Sequence, residues 1–306
     1  METGQFPGVR QLRYAPAPGG ESGVEVLDFA RLRDMDPAGR RTRLQRPDFH
    51  VLALIASGSG RHSADFVDYP LRERTVVWIR PGVVHRWADA EELDGFLVLF
   101  APGFLSAPGP AADAAADVFG PVCWESAEEV WPLCLGAVEH LGREYAAGVS
   151  APSPASAPLL AHLLAALVLR VLPPSGPARP AGCAPEEHAV FRRYRAAVEE
   201  HFATRHQVAD YASALGYGRR TLTRATRAAT GLGAKQFLDQ RILLEAQRLL
   251  AHTGLPVARC AERLGFPDAA NFTTFFQRQT GVPPSRWRAG HGRAEVRLPS
   301  SRTGRP

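Results

Sequence analysis

Arg220, Thr223, Arg224 and Arg227 recur at helical spacing, opposite Leu222 and Ala225. About fifty residues on, Ala270, Asn271, Thr274 and Arg278 stand in the same way opposite Ala269, Phe272, Phe275 and Phe276. A helix that turns guanidinium, amide and hydroxyl groups to one side can lie in a DNA major groove and bring them to base edges. That chemistry is recognition, and no catalytic constellation is expected.

The elements that would carry these faces are themselves repeated. "VADYASALGY" (Val208 to Tyr217) returns 49 residues later as "VARCAERLGF" (Val257 to Phe266). Each copy reads as the first helix and turn of a helix-turn-helix. Ala212 with Gly216, and Ala261 with Gly265, supply small residues where two crossing helices approach, and Leu215 and Leu264 fill the shared core. The second helices are expected over about Gly218 to Ala229 and Asp268 to Gln279. Both end in Thr-Gly, at 230–231 and 280–281, where glycine suits a left-handed cap. Those ends align only at an offset of 50, so the second copy has one extra residue in its turn. Between the copies, Ala234 to His252 reads as one long helix, able to hold two reading helices about one DNA turn apart, roughly 34 Å.

Charge divides the chain in two. Through Pro185 there are 16 arginines and 21 carboxylates, a net of −5. From Glu186 onward, 19 arginines and the sole lysine, Lys235, stand against 10 carboxylates, a net of +10. Only the second part carries a field suited to a polyanion. Length and a hydrophobic share of 45 % suit two globular domains. Cys123, Cys134, Cys183 and Cys260 form no CxxC pair, so neither disulfides nor a zinc site is expected. The first 23 residues lack the apolar core of a signal peptide, and "PLLAHLLAALVLRVL" (Pro158 to Leu172) falls short of the roughly 20 residues a membrane span needs. A cytoplasmic protein without membrane contact is expected.

From about Val24 to Phe100 short apolar runs such as "FHVLALI", "RTVVWIRPG" and "GFLVLF", bounded by turn residues, predict an antiparallel barrel. Helical periodicity follows over Ser126 to Ala147. A strongly apolar helix then begins at Leu159 and either packs back on its own barrel or forms a dimer seam. The prolines of 173–185 mark a linker.

The stretch from "HQVADYASALGYGRRTLTRATRAATG" through "VARCAERLGFPDAANFTTFFQRQTGVPPSRWR" resembles the DNA-binding domain of the AraC/XylS family of transcriptional regulators. The resemblance covers about Phe191 to Arg288. It implies seven helices, with base-reading positions at Arg220, Thr223 and Arg224 and at Ala270, Asn271 and Thr274. Arg220 and Arg224 would each grip a guanine, so sequence choice is expected to rest more on the first motif. Gly218 replaces the family's usual Ser/Thr N-cap, a change that costs only a few tenths of a kcal/mol.

"RHSADFVDYPL…RTVVWIRPGVVHRW" resembles the cupin barrel found ahead of this domain in the family. Only His62, Asp65 and His85 match a cupin ligand set, with no second His or Glu at the right spacing, so no metal and no other cofactor is expected. The resemblance makes the barrel a sensor for a small-molecule effector, with His50, Leu52, His62, Trp78, Arg80, His85 and Trp87 as candidate pocket residues.

The architecture expected is α+β and multidomain. An N-terminal arm (1–23) precedes a cupin-like barrel (24–125) and a helical dimerisation segment (126–172). A proline-rich linker (173–185), an all-α double helix-turn-helix domain (186–289) and a disordered basic tail (290–306) follow. The function expected is effector-responsive, sequence-specific DNA binding by a homodimer, with RNA polymerase a further partner if it activates. A metal-dependent cupin enzyme with an accessory DNA-binding domain, or a non-specific architectural DNA binder, are the alternatives.

Overall fold

The computed structural model describes residues 9–15, 23–151, 153–173 and 184–291. Two five-stranded sheets face each other as a flattened barrel. One runs β1 (Arg10–Leu12), β3 (Gln45–Pro47), β8 (His85–Asp89), β5 (Gly60–Ala64), β6 (Val67–Leu71). The other runs β10 (Cys123–Glu125), β7 (Thr75–Ile79), β4 (His50–Ser57), β9 (Asp94–Phe100), β2 (Val24–Asp28). Pairing is antiparallel except between β1 and β3. Residues 10–12, expected in a free arm, are thus a strand. Three residues are too few for a periodicity signal, and only their long-range partner makes them one.

The second sheet is buried on both faces, which explains why "HVLALI" reads as an unbroken apolar run. Val51, Ala53 and Ile55 join Val77, Ile79, Trp87 and Leu97 inside the barrel. The alternate residues Leu52, Leu54, Val76, Trp78, Val98 and Phe100 point outward into a second core. That core is closed by helices. After α1 (Phe29–Met35), capped by Asp28, come α2 (Pro110–Ala115), α3 (Trp131–Ser150) and α4 (Ser156–Val171). Trp131, Cys134, Val138 and Leu141 of α3 and Leu160, Leu164, Leu167, Val168 and Val171 of α4 cover the sheet. The apolar face of α4 is therefore spent on its own barrel, while Leu159 and Leu169 stay exposed on its far side. Linker residues 174–183 and tail residues 292–306 lie outside the described residues.

Seven helices follow: α5 (Pro185–His201), α6 (Val208–Leu215), α7 (Arg219–Thr230), α8 (Ala234–His252), α9 (Val257–Arg263), α10 (Ala269–Thr280) and α11 (Pro284–His291). The last of these carries helix to His291, two residues into the stretch expected as tail. Helix α8 serves two cores. Its first half gives Phe237, Leu238 and Ile242 to a cluster with Phe191, Tyr194, Tyr211, Leu222 and Ala225. Its second half gives Ala246, Leu249 and Leu250 to a cluster with Cys260, Ala261, Leu264, Phe272, Phe276 and Trp287. Each fully buried phenylalanine contributes about 1.5–3 kcal/mol, so both units are fastened firmly to one rod.

The second cluster also takes in Val9 and Val84 from the sensing domain. Around it, Arg46 pairs with Glu245 at 2.7 Å and Arg248 with Asp65 at 2.9 Å. Phe66 stacks on His252 and meets Trp287 edge-on. At a second place Asp113 of α2 holds His188 and Arg195 of α5, at 2.6 and 3.2 Å. The two domains are docked through buried charge as well as apolar contact.

Candidate nucleic-acid interface

Helix α7 begins after Gly218, whose backbone is extended and which offers no side-chain cap, and ends at Gly231 in the left-handed region. Leu222 and Ala225 are buried beneath it. Arg220, Arg224 and Arg227 are exposed on the opposite face and Thr223 is half-buried, its hydroxyl donating to the Arg219 carbonyl at 2.9 Å. Thr223 therefore offers a methyl as readily as a hydroxyl. Arg219 is also exposed. With Lys235 from α8 these arginines line an open concavity of about 770 Å³. Arg219 and Lys235 escaped the sequence reading. A signal existed in the lysine, the only one in the chain, placed two residues into the long helix.

In the second unit Ala270, Asn271, Thr274 and Arg278 are all exposed on α10, above buried Phe272, Phe275 and Phe276. Gln277 joins them and was not foreseen. The Asn271 amide is engaged: Nδ2 donates to Asp268 Oδ2 at 2.9 Å while its backbone N–H donates to Oδ1 at 2.7 Å. Asp268 is the N-cap and these bonds hold its carboxyl below the usual carboxylate range. Arg278 Nη2 lies 3.8 Å from Asp239 Oδ2, while Lys235 donates to Asp239 Oδ1 at 2.6 Å. One buried carboxylate on α8 thus holds a cation of α8 itself and approaches one of α10.

The two turns are built alike. Tyr217 N–H donates to the Ala212 carbonyl and Phe266 N–H to the Ala261 carbonyl, at 2.9 and 3.0 Å. Both intervening glycines have positive φ, +70° at Gly216 and +71° at Gly265. Only Gly265 is also closely approached, since a Cβ there would collide with the Ala203 carbonyl oxygen, whereas Gly216 faces open space. At Gly216 the need is conformational and not, as the sequence suggested, room for a neighbouring backbone. The extra residue of the second copy falls between Phe266 and α10, where Pro267 and Asp268 replace the single Gly218.

The seven candidate effector residues divide between two places. His62, His85 and Trp87 meet inside the barrel, with His62 packed 4.4 Å from Trp87 and 5.2 Å from His85, centroid to centroid. All four ring nitrogens of these histidines are buried without a hydrogen-bond partner among the described residues. Burial holds His62 well below its ordinary value and His85 at about 4, so both rings are neutral. His50, Leu52, Trp78 and Arg80 are on the other face of the sheet, toward the helices. His50 stacks on Phe100, Trp78 Nε1 approaches His50 Nδ1 at 3.4 Å, and Leu52 lies in the helix-covered core. Arg80 sits over Trp78 and donates to the carbonyls of Ala114, Gly120 and Pro121. Its charge organises the α2 loop. Strand alternation separates these residues, and the doubly buried strand hid that alternation in the sequence.

Asp65 turns away from the histidines to Arg248, so the matched cupin positions do not converge. Among the described residues no group of three or more His, Cys, Asp or Glu is placed to hold a metal ion, and no helix is long and apolar enough to cross a membrane.

A β-barrel with an interior histidine pair, joined to two helix-turn-helix units on one rod, defines an effector-sensing, DNA-binding transcription regulator. Residues 26–107 match the family model for the AraC-like ligand binding domain and residues 211–290 that for a helix-turn-helix domain. The chain is 27% identical over 250 residues to the HTH-type transcriptional activators RhaS of Salmonella paratyphi A and Salmonella arizonae, covering 79% of this chain and 86% of each relative. It is also similar to the crystal structure of ToxT from Vibrio cholerae O395, at 10% identity and a TM-score of 0.38, over 89% of this chain and 99% of that one. The chain belongs to the AraC/XylS family of transcriptional regulators.

Proposed function

We propose that α7 supplies the principal base contacts, through Arg220 and Arg224, and that Thr223 and Arg227 complete that face. Helix α10 enters the next major groove with Ala270, Asn271, Thr274 and Arg278, mainly positioning the protein. The observation that carries this reading is the division of α8: its two halves build the two cores, so both reading helices ride on one rod of roughly 28 Å. That length approaches the 34 Å between successive major grooves on one side of DNA.

The effector is proposed to enter the barrel interior and satisfy the unpartnered nitrogens of His62 and His85 beside Trp87. Leu159 and Leu169, exposed on α4 with Leu133 of α3, support a homodimer through this helical hairpin. The relatives are named as activators, which favours activation and hence contact with RNA polymerase, in the cytoplasm. The protein is read as non-catalytic.

Selection of bound duplexes from a random pool tests the reading. Two conserved half-sites about 10 base pairs apart per monomer are expected, and a featureless pool would overturn it in favour of architectural binding.

A further inference from the structure

The geometry points to Glu187 as a positioning residue that fixes base choice by orienting the Arg224 guanidinium. This rests on the reading that Arg224 contacts a base, and names what aims it. Glu187 lies in the first turn of α5, and its Oε1 is 2.9 Å from Arg224 Nε. Among the described residues, Arg224 is the only one of the four arginines on α7 that pairs with a carboxylate: Arg219, Arg220 and Arg227 have no such partner. The pair is asymmetric. The arginine side chain is 71% exposed and the glutamate 24%, so the carboxylate sits beneath and the guanidinium projects.

A guanidinium presents donors along more than one edge. A carboxylate against Nε leaves the terminal amino groups of Arg224 free to address guanine O6 and N7 together. Glu187 is itself held still. The next residue, His188, is bonded to Asp113, Arg195 donates to the same carboxylate, and Phe191 one turn on is buried in the core. A fixed acid beneath a mobile base-reading arginine narrows the directions that arginine can take.

The sign of the charge separates aiming from affinity. A carboxylate near a DNA-facing surface repels phosphates, so it weakens binding to every sequence alike. Such a group improves recognition only by raising the difference between right and wrong sequences.

The test measures binding of the full-length protein to three duplexes: its selected site, the same site with the Arg224-dependent base pair exchanged, and a random sequence. Glu187→Gln is expected to cut discrimination at that base pair by at least about fivefold, the lower end of what a bidentate contact provides. Other positions should be unaffected, and random DNA should be bound equally or more tightly. In an Arg224→Ala background Glu187→Gln should change discrimination no further, which a general loosening of the fold would not reproduce. The inference is overturned if Glu187→Gln keeps discrimination while Arg224→Ala loses it. It is equally overturned if Glu187→Gln tightens binding to all three duplexes by one common factor, the mark of a simple brake. If Arg224→Ala itself leaves every base position unmoved, the underlying reading of α7 fails first.

Discussion

Asp65 and Arg248 form a two-pronged ion pair across the boundary between the sensing and DNA-binding domains, Nε to Oδ1 at 2.9 Å and Nη2 to Oδ2 at 3.0 Å. Asp65 also binds the Val84 backbone in both directions, donating its N–H to the carbonyl and accepting from the amide at Oδ1. Val84 precedes His85, and Asp65 follows His62 by three residues. The turn that flanks the interior histidines is therefore the one that grips α8.

Removing one charge of this pair leaves Arg248, 3% exposed, beside an uncharged partner. Asp65→Asn keeps the left-handed backbone that residue 65 adopts (φ +50°) and deletes only the charge. A loss of about 3 kcal/mol is expected, lower than for an isolated pair because Glu245 lies 3.8 Å away. Denaturant melts should show it, together with faster amide exchange in the second half of α8. Unchanged exchange would mean that docking rests on the other contacts of the boundary, Arg46 with Glu245 and the apolar cluster among them, and not on this pair.

Base contact and phosphate contact predict different losses on α7. Arg220→Ala should weaken specific binding by about 1–3 kcal/mol and relax one base position. Arg227→Ala, about two turns further from the helix start, should weaken all sequences alike and lower the salt dependence by about one ion. Titrations at several salt concentrations distinguish the two, and identical behaviour would remove the assignment of Arg220 to a base.

His62 separates stability from sensing. Its ring nitrogens have no partner among the described residues, so His62→Leu exchanges an unsatisfied polar group for an apolar one, which is near neutral or stabilising. The melting temperature at pH 7 should hold or rise, while the effector-induced change in DNA binding is lost. A variant that unfolds would show the imidazole to be a structural element of the barrel.

Acid should destabilise the protein in two stages. Burial holds His50 at about 3, His85 at about 4 and His62 well below 6.5. The unfolded chain takes up protons below 6.5 that the folded chain refuses, so this stability is complete above pH 6.5 and lost as pH falls, toward 4 for His85 and toward 3 for His50. His85 alone accounts for about 3 kcal/mol. Burial raises the Glu245 carboxyl, but Arg46, Arg241 and Arg248 outweigh it and bring the group to about 2. Its share is present above pH 4.5 and lost between there and pH 2. Urea midpoints should decline from pH 6.5, and His62→Leu should shorten the first stage only.

The two turn glycines should respond unequally. Gly216→Ala incurs only the strain of a left-handed alanine, about 1 kcal/mol, because its surroundings are open. Gly265→Ala adds a collision with the Ala203 carbonyl and should cost clearly more in chemical denaturation. Equal losses would show that the backbone at 203 yields.

The DNA-binding half was legible because its signals are local. The repeat, the helical periodicity of Leu222, Ala225, Phe272 and Phe276, and the Thr-Gly stops all operate within a few turns. The sensing half was less so. Strand β4 is apolar on both faces, so nothing in its sequence told His50 and Leu52 apart from the barrel interior. Arg80, a lone charge in an apolar strand, suggested a ligand site, although three carbonyls of the α2 loop satisfy it. Asp65 with Arg248 and Glu187 with Arg224 join residues far apart in the chain, and one sequence carries no trace of such pairs. The engagement of Asn271 by Asp268 was readable, being a helix cap three residues long.

Val9 and Val84 pack into a core that α8 helps to build, and the ribosome makes α8 much later. At about 5–20 residues per second the barrel waits on the order of ten seconds or more without those α8 partners for its valines and for Asp65. In that interval the newborn sensing domain displays an apolar patch flanked by Asp65 and Arg46, both still without their α8 partners, so chaperone capture and premature aggregation would be concentrated there. The arrival of the carboxy-terminal half ends the hazard, as the domain that carries the message to DNA also acts as the cover that completes its sensor.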